Sequence, residues 1–126
     1  MSGKIANARK QAAFRFGMSA EGKASLYLNA KGYREIARRW KSRVGEIDLV
    51  MKRGKLIVFV EVKARGRLDD AAEAVLPRQR RRIVSAAEAW LAAHPGHAGY
   101  DMRFDAVLVA PGTLPRHIEN AFESES

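Results

Sequence analysis

Three carboxylates and one ammonium lie close together along this chain, in the segments Gly45-Glu46-Ile47-Asp48 and Glu61-Val62-Lys63. The segments sit on two runs, Val44 to Met51 and Leu56 to Ala64, joined by a tight turn at Arg53-Gly54. Both runs are rich in β-branched and aromatic residues and read as an antiparallel hairpin. Pairing symmetric about that turn sets Glu46 opposite Glu61, with Asp48 on the diagonal. Alternation along a strand then puts Glu46, Asp48, Glu61 and Lys63 on one face. Like charges facing each other destabilise a sheet, so such a cluster calls for a neutralising partner. A divalent cation assisted by one lysine would supply it, which is the chemistry of a metal-dependent site.

The competing reading makes these four residues the solvated outer face of a hairpin. Two details argue against it. Leu56-Ile57-Val58-Phe59-Val60 is apolar on both faces, as in a buried central strand, and it ends in Glu-Val-Lys at the rim of a core, where clefts form. The carboxylates also lie toward the far end of the hairpin, away from its exposed tip.

The elements that would position them follow from the flanking pattern. Lys4 to Phe16 reads as a short basic helix, and Ser19 as the N-cap of a second helix, Ala20 to Lys31, ended by a left-handed turn at Gly32. Glu21 on that helix fits two roles: a charge favoured by the helix dipole, or a carboxylate facing the same metal. Tyr33 to Trp40 reads as a first strand ahead of the hairpin. A charged loop, Arg65 to Asp70, leads to a long helix that has Pro77 in its first turn and stops at His94-Pro95-Gly96. Its apolar stripe is Ile83, Ala86, Ala87, Trp90 and Leu91. Met102 to Ala110 reads as a strand, and His117 to Phe122 as a short helix or strand covering the core. The expected architecture is α/β, a central mixed β-sheet flanked by helices. Trp40 and Trp90 read as core, and His94 and His97 as surface residues whose loop spacing is weak for zinc.

The chain's 126 residues suit a single domain over 1–126, with short flexible ends at about 1–3 and 123–126. No apolar run approaches a membrane span, the N-terminus lacks a signal-peptide core, and there is no cysteine, so a cytoplasmic location without a membrane partner is expected. The 23 Lys and Arg exceed the 14 Asp and Glu, a net charge of +9 that favours a polyanionic partner. The excess is clustered. Arg78, Arg80, Arg81 and Arg82 form one run, and Arg34, Arg38, Arg39, Lys41 and Arg43 crowd the approach to the carboxylates. An acidic cleft ringed by arginine suits a phosphodiester. Arg39, Lys41, Arg43, Arg65, Arg78, Arg80 and Arg81 are the expected nucleic-acid contacts.

Gly45-Glu46-Ile47-Asp48-Leu49-Val50, then Val58 to Arg65, then Arg103-Phe104-Asp105, resembles the uncharacterised bacterial YraN-like family. The resemblance runs from Ala20 to Phe122 and includes His117-Ile118 and Ala121-Phe122. That family in turn resembles the restriction-endonuclease-like, or PD-(D/E)-x-K, nucleases, among them archaeal Holliday-junction resolvases. The resemblance implies Asp48 and Glu61 as metal ligands, the Val62 carbonyl as a third oxygen, Lys63 as the catalytic lysine and Glu21 as a helix carboxylate at the metal. Glu46 would hold a second metal or support the first. The chain departs from the family at Arg39, where asparagine is usual, and at Gln79, where lysine is frequent.

The function implied is a Mg²⁺- or Mn²⁺-dependent endonuclease on branched or structured nucleic acid, DNA before RNA. As a monomer it would cut one strand; symmetric cutting of a duplex would need a homodimer. A non-catalytic nucleic-acid-binding module of the same fold is the second expectation, since members of the superfamily sometimes bind without cutting. A basic domain that docks an acidic protein is the third.

Overall fold

The computed structural model describes residues 18–68 and 77–121, excluding the side chains of 77–80. The basic helix expected over Lys4 to Phe16, the acidic end from Glu123, Phe122, and the side chains of Arg78, Gln79 and Arg80 lie outside the described residues. Helix α1 (Ala20–Ala30) is followed by strands β1 (Arg34–Ser42), β2 (Gly45–Arg53) and β3 (Leu56–Ala64). Helix α2 (Pro77–Ala93), a short 3₁₀ turn (Pro95–His97), β4 (Asp101–Val109) and β5 (Arg116–Ile118) complete the order. One five-stranded sheet runs β1-β2-β3-β4-β5. All its pairs are antiparallel except β3 with β4, which are parallel and joined by the crossover through α2. This is the expected mixed α/β sheet flanked by helices, and it is consistent with a restriction-endonuclease-like fold.

The local signals explain the boundaries. The Ser19 hydroxyl accepts from the Gly22 N–H at 3.0 Å and caps α1. Gly32, at φ +95°, turns the chain after the last helical carbonyls, a conformation that would strain a residue with a Cβ. On one side of the sheet Ala24 and Leu28 of α1 pack with Tyr33, Leu49, Met51, Val58, Val60, Val62 and Val107. On the other side the α2 stripe Ile83, Ala86, Ala87 and Trp90 packs on Val50, Ile57, Phe59 and Phe104. β3 is buried on both faces, as its composition requires, whereas β1 is an edge strand with most of its residues exposed.

Two expectations are corrected. The tight turn between β2 and β3 is Gly54-Lys55, not Arg53-Gly54, because Arg53 pairs with Leu56. Every pair up to Leu49 and Val60 shifts with it, so the pairing symmetric about Arg53-Gly54 does not hold. His94 and His97 are half-buried, not surface residues. The His94 ring stacks on Trp90 with 4.1 Å between centroids, its Nδ1 lies 2.7 Å from the Trp90 carbonyl, and the His97 ring stands edge-on to Tyr100.

Candidate metal centre and nucleic-acid cleft

Regular alternation fails at one place in β2. Leu49 and Met51 pack with α1 and Val50 with α2, yet Ile47 also joins the α2 side, so the strand slips by one step at Asp48. A second irregularity lies across the ladder. Arg38 pairs with Leu49 and Trp40 with Ile47 in one register, and Arg39 between them stands at φ +52°. A local disruption of this kind re-aims a side chain. Here Asp48 turns toward β3, where its Oδ2 accepts from the Val62 N–H at 2.7 Å. Left-handed backbone suits asparagine far better than arginine.

Glu61 follows on the neighbouring strand, and Lys63 Nζ lies 3.0 Å from Glu61 Oε1, both side chains largely buried. Burial and then the Glu61 charge push the Asp48 carboxyl up to about 7; Glu21 adds to the rise, while the Val62 N–H and Lys63 oppose it. Two crowded carboxyls with one lysine resting on Glu61 are short of positive charge. Glu21 is close enough to be felt by Asp48, but its carboxylate is held by Arg39 Nε. Glu46 is exposed on the cleft wall. Asp48 and Glu61 are the close pair, and Glu46 lines the same cleft without completing a cage of three carboxylates.

The donor set fits a small hard cation. Among the described residues no three His, Asp or Glu side chains form a ready-made cage. Mg²⁺ does not require one, since it is commonly held by one or two carboxylates and keeps several waters. Backbone geometry adds the Val62 carbonyl. The N–H and C=O of a strand residue project to the same edge, and the Val62 N–H already points at Asp48.

Asp48 and Glu61 open into a cleft of about 500 Å³ walled by the β1–β2 turn and the start of α2, including Lys41, Arg43, Val44 and Arg82. Gly45 makes this close packing possible: a Cβ there would lie 2.8 Å from the Arg82 carbonyl oxygen. Of the expected cationic contacts, Lys41 and Arg43 line this cleft. Arg39 is engaged with Glu21, and the exposed Arg65 donates to the Ala64 carbonyl at the end of β3. Arg81 is exposed and does not line the cleft. At 100° per residue it falls roughly 160° from Ile83, away from the stripe, whereas Arg82 flanks it. That helical arithmetic was the available signal for Arg82, which sequence reasoning passed over.

A second polar cluster was visible only as the string Arg103-Phe104-Asp105. Asp105 is fully buried and accepts two bonds from Arg103 at 2.7 Å each, one from Asn120 N–H at 3.0 Å and one from His117 Nε2 at 2.6 Å. Arg103 also donates to the Tyr33 hydroxyl. Lys31 Nζ sits 2.6 Å from His117 Nδ1. An ammonium can only donate, which leaves the Nε2 proton for Asp105. Burial works to raise the Asp105 pKa, but His117, Arg103 and the Asn120 N–H override it and hold the carboxyl below its ordinary value.

The model of the uncharacterised protein family UPF0102 matches residues 20–109. A UPF0102 protein of Bradyrhizobium diazoefficiens is 57% identical over 123 residues, covering 98% of this chain and 92% of its own. One from Rhodopseudomonas palustris is 62% identical over 113 residues, covering 90% of this chain and 87% of its own. Another, from a Bradyrhizobium species, is 56% identical over 121 residues, covering 96% and 86%.

Proposed function

The chain belongs to the uncharacterised protein family UPF0102, and from that premise and the geometry of the cleft we propose a metal-dependent endonuclease of the restriction-endonuclease-like, PD-(D/E)-x-K type. Its substrate is branched or structured DNA, ahead of RNA, cut in the cytoplasm. The observation that carries the reading is the pair Asp48 and Glu61, with Asp48 pushed up to about 7, opening into a cleft lined by Lys41, Arg43 and Arg82. Among the described residues no helix is long and apolar enough to cross a membrane.

Asp48 and Glu61 would hold the cation together with the Val62 carbonyl. When bound, Mg²⁺ or Mn²⁺ supplies a Lewis acid and a water of lowered pKa. Lys63, resting against Glu61, is positioned to orient the attacking water and to stabilise charge developing on the phosphate. Lys41, Arg43 and Arg82 offset the charge of the flanking phosphates, and Glu46 on the wall supports the ligands. One such cleft cuts one strand; a twofold pair is needed for both.

Titration calorimetry with Mg²⁺ and Mn²⁺, followed by incubation with four-way, flap and linear DNA, tests the reading. Metal binding with cleavage of branched substrates, both lost in Asp48→Asn and Glu61→Gln, is the expected result. Full activity in either variant overturns the assignment.

The non-catalytic binding module is favoured by one specific observation: Lys63 on Glu61 and Arg39 on Glu21 already neutralise part of the cluster without a metal. Salt-dependent DNA binding with no heat of Mg²⁺ binding would decide for it.

A further inference from the structure

The tip of the β1–β2 turn carries a residue that turn chemistry does not call for. The central residues of a two-residue hairpin turn are usually Asn, Asp or Gly. This turn uses Arg43 and Val44, with Ser42 pairing Gly45 on either side. Val44 is 53% exposed, a β-branched apolar side chain facing water beside a charged cleft.

The turn is also pinned. The Ser42 hydroxyl donates to the Gly45 carbonyl at 3.0 Å and accepts from the Val44 N–H at 3.3 Å. Gly45 sits against the backbone of α2 at Arg82. Val44 is therefore held at a fixed place in the lining of the same cleft as Lys41, Arg43, Asp48 and Glu61.

Resting on the nuclease reading above, we infer that Val44 is a specificity residue: an apolar probe that packs against an unstacked base next to the scissile phosphate, while Lys41 and Arg43 hold the phosphates on either side. Apolar side chains that enter a base step gain contact only where the step is open or opens at low cost, and unstacking an intact step costs several kcal/mol. The substrate class selected is DNA with an unpaired or unstacked nucleotide at the cut, such as the branch point of a flap or an open junction centre. Continuous duplex is disfavoured. Val44 carries no charge, so it acts on this selection and not on the salt dependence of binding.

The test uses the full chain carrying Asp48→Asn, which does not cut, and flap DNA with 2-aminopurine either at the branch point or inside a paired arm. Binding is expected to raise fluorescence at the branch point and leave the arm unchanged. Val44→Ala should abolish that rise and weaken flap binding by roughly tenfold, the scale of two methyl groups losing an apolar contact. Val44→Ile should restore the signal. Met102→Ala, which removes another half-exposed apolar side chain at the opposite end of the sheet, should change neither. A branch-point signal that persists in Val44→Ala, or none despite binding, overturns the inference alone. A wild-type chain that neither binds Mg²⁺ nor cuts any DNA overturns the nuclease reading and this inference with it.

Discussion

Two aspartates in this protein are withdrawn from water on the two strands that flank β3, and their surroundings treat them in opposite ways. Asp105 receives bonds from Arg103, His117 and Asn120 and is held below the ordinary carboxylate value. Among the described residues Asp48 receives a single bond, from Val62; it is crowded by the Glu61 charge and is pushed up to about 7. A buried carboxylate with its acceptors filled is a structural bracket. One left beside a like charge at the wall of an open cleft marks a candidate functional site. The contrast separates scaffold from candidate site more sharply than burial or residue type.

Removing the bracket should have the largest effect. Asp105→Asn leaves Arg103 without its buried partner and should lower the unfolding free energy by about 3–5 kcal/mol, read from the urea midpoint at pH 7. A loss under about 1 kcal/mol would erase the distinction between the two aspartates.

The sign reverses at the other aspartate. A carboxyl raised in the folded state retains a proton that the unfolded chain releases, so its contribution to stability falls as pH rises from about 4 to 7 and is constant above. Asp48→Asn should therefore stabilise the protein by about 2 kcal/mol at pH 8, with the gain shrinking toward pH 4, while abolishing Mg²⁺ binding. Asp105 works the other way: its stabilisation is intact above about pH 4 and is lost as the pH falls further. Melting curves of the wild type and both variants across this range would show the opposed slopes; parallel slopes would refute the contrast.

Smaller effects sharpen it further. Arg82→Ala should leave stability within about 0.5 kcal/mol and reduce the salt slope of DNA binding by about 0.9. An unchanged slope would place Arg82 outside the phosphate path. Arg39→Asn should change stability by less than about 1 kcal/mol, because relief of the left-handed backbone offsets an exposed ion pair. It should also tighten Mg²⁺ binding by freeing Glu21, which calorimetry would register.

How much of this was legible in the sequence follows the range of the forces involved. Local signals gave the Ser19 cap, the Gly32 turn, both bounds of β3 and the α2 stripe, because each depends on neighbours a few residues away. The register of β2 on β3 did not follow, since it turns on whether Arg53 joins the ladder or the turn, a matter of side-chain packing across the sheet. The slip at Asp48 coincides with the left-handed Arg39, on another strand. Asp105 was visible as part of a motif, but its role depends on residues 31, 33, 117 and 120, brought together by the fold. His94 and His97 look like loop residues by composition, yet they pack around Trp90.

The outer border of the sheet bears on how copies of the protein can meet. β1 presents Arg34, Glu35, Arg38, Arg39 and Lys41 to solvent and breaks its register between Glu35 and Ala37. Charges and irregularities of this kind frustrate the lengthwise zippering by which bare strand margins recruit other chains into aggregates. Self-association that prolongs the sheet from this margin is thereby discouraged, leaving a strongly basic protein free to stand close to other copies without fusing to them.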